Sequence, residues 1–358
     1  HVPEITSLLF QYIKILKQQK PLEWLYDEQA VVANLAFEFQ EKTAALQYVS
    51  RLAPNLEYYP PEEIITSSYL MSQFDGQLIS ELVSYLRQDN VLTEVISPES
   101  STENVEKWFE VPYTLKKNHI DVSPLQTDEL FLPKANPFLP ENLALFDGDN
   151  KPIQQFDQNK NIRIWMDQDL EFATPKASIF LRINLENGLM TAEDRVCAHL
   201  YRGIVADALN ETVYPAYLAG LRGQHSVSDS GYEIQITGFN EKQLTLLEAI
   251  LKNLMASPVE EDRFDVVKSN LVRNWLNSGK NYPYRQAINA VSEILISNRW
   301  PAKDLAKIAE NATAEQLTDW RNRKLNKVSV DALLHGNVNQ KTKDDLETLL
   351  LDHLVINQ

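Results

Sequence analysis

The segment ASIFLRINL at residues 177–185 decides the fold class. Ala177, Ile179, Leu181, Ile183 and Leu185 alternate with Ser178, Phe180, Arg182 and Asn184. Strand side chains point to opposite faces with a period of two, so this alternation describes a strand with one face in a core and the other outside it. NIRIWM at 161–166 predicts a strand before it, and helices are expected at about 192–209 and 214–221. A strand-turn-strand region follows from Ser226 to Phe239, with Asp229, Ser230 and Gly231 supplying the turn. Leu244, Leu247, Leu251 and Leu254 then line one face of a helix. Three or four further helices lead to a strand at VSVDALLHG (328–336) and a closing helix at about 340–355. Strands and helices in this order predict an α+β domain, an antiparallel sheet with helices on one side, rather than a doubly wound α/β fold.

Upstream, the sequence repeats part of this pattern. PLEWLYDEQ (21–29) faces PVEEDRFDV (258–266), YYPPEEI (58–64) faces RWPAKDL (299–305), and NVLTEVIS (90–97) faces KVSVDALL (327–334), at offsets of 237, 241 and 237 residues. A spacing this long and this constant indicates a duplicated domain, since solenoid units repeat every ~20 to 50 residues. Ile5, Leu8, Leu9, Tyr12, Ile13 and Leu16 recur at helical spacing, and Pro21 stands at the first turn of a second helix reaching about Gln40. Helices at about 43–52 and 77–86 and a strand at 90–97 complete the first copy. The second copy has strand-rich sequence before it that the first lacks, so the chain is expected to begin inside a domain. Three segments follow: a partial α+β domain over 1–125, an arm over 126–146, and a complete domain over 147–358. The arm carries Pro133, Pro137 and Pro140 with little periodicity, and Leu130, Phe131, Phe138 and Leu139 are its candidates for packing. Before it, SPESSTEN at 97–104 reads as a surface loop, and WFEVPYTLKK at 108–117 as extended chain in which Pro112 interrupts any ladder.

The 358 residues carry 34 basic and 50 acidic side chains, a net charge of −16, which opposes binding to a nucleic-acid backbone. No apolar run reaches the ~18 residues of a membrane span. Cys197 is the single cysteine, so no intrachain disulfide forms. Its neighbours Val196, Ala198 and Leu200 suit a buried, inert thiol. Gly220 and Gly223 form no phosphate loop, and the serines at 226–230 lack the elbow that exposes a nucleophile.

FQYIKILKQQKPLEWLYDE (10–28), YYPPEE (58–63), NPFLPEN (136–142), TPKASI (174–179), YLAGL (217–221) and ALLHGN (332–337) together resemble the pitrilysin and insulysin metallopeptidases, from one end of the chain to the other. The resemblance implies a longer protein of four homologous α+β domains, closing as two bowls around a chamber in which peptides are degraded. It implies that residues 1–125 are the second half of the second domain, and that 147–358 are the third. It also suggests a periplasmic setting, by likeness to bacterial members.

The family's chemistry resides in an H-x-x-E-H helix, where two histidines hold zinc and the glutamate activates water. This chain lacks that motif. At the matching helix it reads His199, Leu200, Tyr201, Arg202, Gly203, with arginine in the place of the base and glycine in the place of the second ligand. The third ligand of the family would fall near LNSGKNY (276–282), which holds no carboxylate. His1, His119, His225, His335 and His353 are scattered, and Glu260, Glu261 and Asp262 suit a helix N-terminus. No catalytic, cofactor-binding or metal-binding residue is therefore assigned, and zinc is expected only in the catalytic domain of the longer protein. The partners expected are the remaining domains of that protein, with peptide contact along strand edges and self-association through the incomplete first domain. Two readings stay open: a non-catalytic wall segment of a zinc peptidase, inactive alone, or part of an inactive homologue serving as a structural or assembly subunit.

Overall fold

In the computed structural model, residues 2–69, 71, 73–117, 130–148, 153–159 and 161–356 are described, without the side chains of 157–159. His1, His119 and the expected boundary at 125 lie outside them. The chain divides into two compact units, one ending at Ala135 and the other beginning at Asn136.

Unit 1 is built of helices α1 (Val2–Gln18), α2 (Glu23–Glu38), α3 (Ala45–Leu52) and α4 (Gly76–Ser84). Phe10 and Ile13 of α1 and Leu35 of α2 are buried. The Asp75 side chain accepts from the Leu78 N–H at 2.8 Å and caps α4, while Lys17 Nζ donates to the Leu86 carbonyl at 2.8 Å. NVLTEVIS forms no strand: residues 91–97 are irregular. Its counterpart in the second copy is a central strand paired on both sides, whereas residues 91–97 find no neighbouring strand among the described residues of unit 1. A strand without a ladder has no partner for its backbone groups, and apolar alternation alone does not hold it. The extended stretch after it does form a ladder, a two-residue pairing of β1 (Asn104–Val105) with β2 (Pro112–Tyr113), in which Val105 opposes Pro112. Proline is tolerated there because its missing donor costs nothing on an outer edge.

Unit 2 holds a six-stranded sheet in the order β3-β4-β8-β5-β7-β6. These are β3 (Gln154–Asn159), β4 (Ile162–Gln168), β5 (Lys176–Leu185), β6 (Arg222–Val227), β7 (Gly231–Phe239) and β8 (Val328–Gly336). The sheet is mixed and not wholly antiparallel: β4 pairs with β8 in parallel, Ile162 opposite Val330 through Gln168 opposite Gly336. The long helical excursion between these strands in sequence allows a parallel return. β3, whose polar sequence QQFDQN hides it from periodicity, adds an antiparallel edge. β5 lies at the centre, antiparallel to β7 and to β8 along nearly its whole length.

Ile179, Leu181 and Ile183 of β5 are buried, as are Ile162, Ile164, Tyr232, Ile234, Ile236, Val330, Ala332 and Leu334 on β4, β7 and β8. Helices cover this face: α5 (Ala192–Ala208), α6 (Asn210–Leu218), α7 (Gln243–Ala256), α8 (Glu261–Ser278), α10 (Ala302–Glu310), α11 (Ala314–Lys324) and α12 (Gln340–His353). α6 starts four residues earlier than the sequence predicts and carries Pro215 inside it. α9 (Pro283–Leu295) buries no residue at all. At Gly231, with φ +155°, an added Cβ would lie 2.3 Å from the Ile183 carbonyl oxygen, so the hairpin turn needs glycine.

Buried polar groups lock the elements together. Gln243 Nε2 donates to the carbonyls of Ala177 (2.7 Å) and Gly238 (3.1 Å). Arg195 reaches the β6–β7 turn, donating to the Ser228 carbonyl at 3.1 Å and pairing with Asp229 at 2.5 Å. The start of unit 2 is held by side chains too. Asn337 donates to the Ala144 carbonyl and accepts from the Phe146 N–H, while Phe138 enters the core. Leu139 packs against that core, but Phe131, in unit 1, is exposed.

The two faces of β5 predict opposite mutational costs. Ile183→Ala should destabilise the chain by about 2–4 kcal/mol, and Phe180→Ala, on the outer face, by no more than about 1 kcal/mol. Urea unfolding of the two variants checks this, and equal losses would contradict the assignment of faces.

Candidate functional site

The face of the unit 2 sheet turned away from the helices is open. The strand register lays its side chains in rows that cross the sheet. One row runs Trp165, Leu333, Phe180, Gln235, Gln224, each opposite the next on adjacent strands. The row beside it runs Arg163, Asp331, Arg182, Glu233, Ser226. On the other side lie Asp167, His335, Ser178, Thr237 and Arg222. Neighbours across strands sit ~5 Å apart, close enough for each row to interact along its length.

The charged row neutralises itself. Arg163 pairs with Asp331 at 2.6 Å and Arg182 with Glu233 at 2.8 Å, while Asn184 donates to the second Asp331 oxygen at 3.1 Å. In the third row Asp167 meets His335 Nδ1 at 2.9 Å. The first row is apolar at one end and amide at the other. Trp165 is held in place by its indole N–H, which donates to Gln155 at 3.2 Å, and by the Arg163 guanidinium 5.5 Å from its ring centre. A cavity of about 730 Å³ covers this part of the sheet and continues past edge strand β6 to α5 and α6, where Arg202 and Val213 help line it. Its size is that of a ligand cleft, ~300 to 1,000 Å³.

The edge of β6 is less available than the sequence suggests. Arg202 Nε donates to the His225 carbonyl at 3.2 Å, and His225 Nε2 donates to the Arg202 carbonyl at 3.2 Å, a reciprocal bridge that occupies part of the edge.

The metal-helix position lies on α5. The His199 ring meets Trp275 edge-on, with centres 5.6 Å apart. Burial holds its imidazole down at about 4, helped by the Arg195 and Arg202 charges. An added Cβ at Gly203 would lie 2.4 Å from Val267 Cγ1, so α8 crosses where a second ligand would need to stand. Two nearby guanidinium charges, a neutral histidine packed on tryptophan and a glycine under a crossing helix do not fit a zinc ion. Among the described residues no group of three or more His, Cys, Asp or Glu side chains could hold a metal. Cys197, half-buried on the same helix, has its thiol pushed up to about 11 by burial and by the Asp194 charge, which suppresses the thiolate. His353 meets Glu248 at 3.5 Å, far in sequence from the other histidines.

The open face was missed in the sequence, yet it had a signal there. Phe180 and Leu333 are apolar at positions that the alternation of β5 and β8 assigns to the outer face, and Trp165 is their counterpart on β4.

Residues 37–308 match the family model described as the middle or third domain of peptidase M16. The chain belongs to the M16 peptidase family. Insulin-degrading enzyme-like 2 of Arabidopsis thaliana is 29% identical over 98% of this chain and 37% of its own length. Insulin-degrading enzyme of Homo sapiens is 27% identical over 99% of this chain and 36% of its own length. The crystal structure of pitrilysin superposes on 98% of the chain with a TM-score of 0.74 at 18% identity, and the chain covers 38% of it. The α+β architecture is thus shared with pitrilysin, and the chain spans somewhat more than a third of the length of these relatives.

Burial of His199 has a pH signature. Folding lowers its pKa from the ordinary 6.5 to about 4. The unfolded chain therefore takes up a proton between these values that the folded chain refuses. Stability present above pH ~6.5 should fall by about 1–2 kcal/mol as pH drops towards 5. Urea midpoints across this window should show a shallower slope in His199→Gln. An unchanged slope would mean that the imidazole is accessible in the folded state.

Proposed function

We propose that the chain is a non-catalytic internal segment of a zinc-dependent M16 peptidase, in which the open face of the unit 2 sheet forms part of the wall around bound peptides. The observation that carries this reading is the open sheet face itself. It borders a cavity of about 730 Å³, carries apolar, amide and self-neutralised charged rows, and belongs to a chain whose family match is to the middle or third domain. Catalytic zinc and the water-activating glutamate are assigned to the remainder of the longer polypeptide, because the side chains around His199 suit neither role. Peptide contact is assigned to the face rather than to the edge of β6, which Arg202 and His225 bridge.

The remaining domains of that polypeptide are the proposed partners, and helix amphipathicity indicates where they dock. Helix α9 exposes Ile288, Val291, Ile294 and Leu295, the last two at 82% and 76%. Its counterpart in the first copy, α3, likewise buries nothing and exposes Leu46 and Val49. Short helices without a packed face are marginal in water, so both faces call for a cover. In the chain alone the same surfaces, together with unit 1, are where self-association is proposed.

A second reading, that the longer protein is an inactive structural or assembly subunit, is favoured by one observation: the replacement of the metal motif by Arg202 and Gly203 in this copy. An H-x-x-E-H helix in the longer polypeptide separates the two readings.

The isolated chain is expected to retain no stoichiometric zinc after dialysis and to leave a quenched-fluorescent peptide uncut. Metal analysis with that assay tests this, and tightly bound zinc with chelator-sensitive turnover would overturn it. Sedimentation should show concentration-dependent association, reduced by Ile288→Asp with Ile294→Asp. A chain that remains monomeric at high concentration contradicts the docking role of α9.

A further inference from the structure

We infer that the row Trp165–Leu333–Phe180–Gln235–Gln224 is a subsite for an extended peptide segment, one that takes a bulky apolar side chain over its Trp165–Leu333–Phe180 end. This deepens the wall reading and rests on it.

Three features of the row identify the occupant. The first is an apolar surface on an otherwise polar face. Phe180 is 40% exposed in the middle of a strand, and the Trp165 ring is fixed by its hydrogen bond to Gln155 and by the Arg163 guanidinium over its face. A side chain arriving there meets a preorganised aromatic and aliphatic floor. With strands ~4.8 Å apart, three successive residues span ~10 Å, room for one large side chain and its backbone.

The second is the local compensation of charge beside the apolar end. Arg163 with Asp331 and Arg182 with Glu233 cancel within the flanking row, so the floor favours neither an acidic nor a basic side chain. The third is the amide end. Among the described residues the carboxamides of Gln235 and Gln224 make no side-chain hydrogen bond, and both line the cavity. Each presents a donor and an acceptor together, the complement of a peptide group. A lipid tail or an aromatic small molecule would leave these amides unmatched, whereas a peptide uses both ends of the row.

The test uses the 358-residue chain and two synthetic neutral decapeptides, differing only in a central Phe or Ser, with binding measured by fluorescence anisotropy. The Phe peptide should bind about tenfold more tightly or better. Phe180→Ser and Leu333→Ser should each abolish most of that preference while leaving the weaker Ser-peptide affinity unchanged. Phe180→Leu should restore it. Gln235→Ala should weaken both peptides alike, since it removes a backbone contact. Thermal unfolding of each variant confirms that the outer-face substitutions leave the sheet intact. If both peptides bind equally to the unmodified chain, or if Phe180→Ser preserves the preference, the subsite is wrong and the wall reading survives. If neither peptide binds, both fall.

Discussion

Strand β5 is the constraint on which the rest of unit 2 depends. It is hydrogen-bonded to β7 from Lys176 to Asn184 and to β8 from Ala177 to Leu185, so its register is fixed on both sides at once. A slip of one residue would turn Ile179, Leu181 and Ile183 outward and bring Phe180 and Arg182 into the core. That penalty, several buried side chains and a guanidinium without water, keeps the outer rows aligned across five strands. The Arg182–Glu233 and Arg163–Asp331 pairs are exposed and individually worth little. They follow from the register rather than enforce it.

The duplicated sequence treats this constraint differently in its two copies. Helices α1, α2, α3 and α4 of unit 1 correspond in order and spacing to α7, α8, α9 and α11 of unit 2, because helices satisfy their own backbones. The strand does not carry over. VSVDALLHG becomes β8 because β4 and β5 accept its backbone groups, while NVLTEVIS, with a similar pattern, has no such neighbours among the described residues of its unit. Local pattern was therefore enough for these four helices, although the counterpart of α10, residues 61–69, forms only turns, and the strands required knowledge of what lies beside them. The same limit explains the parallel β4–β8 pair, whose direction no periodicity reveals, and β3, whose polar residues carry no alternation. It also explains the open face. Phe180 and Leu333 were legible as apolar residues out of phase, but only the register brings them and Trp165 into one row.

At the helix position that the resemblance matches to the family's metal motif, the structure shows what each side chain contacts. Gly203 permits α5 and α8 to approach so closely that Val267 fills the space a second ligand would occupy. His199 is dehydrated against Trp275, and Arg202 turns to the β6 edge, where it trades hydrogen bonds with His225. Each of the positions that would serve a metal is thus engaged in packing or in sealing an edge. Restoring one ligand would disturb the α5–α8 contact before it gained a metal.

Sealing that edge also bears on the proposed peptide contact. An unpaired strand edge binds backbones without regard to side chains and pairs as readily with another copy of the chain. With β6 bridged at His225, that edge is partly closed, and on the face binding must come from side chains: an aromatic floor, two carboxamides and the compensated pairs of the charged row. Contacts of that kind are weak individually and are lost when a peptide is shortened or its apolar residue removed. On the proposed wall reading, such a face would hold extended chains for as long as they are large and apolar, and would let short polar ones go.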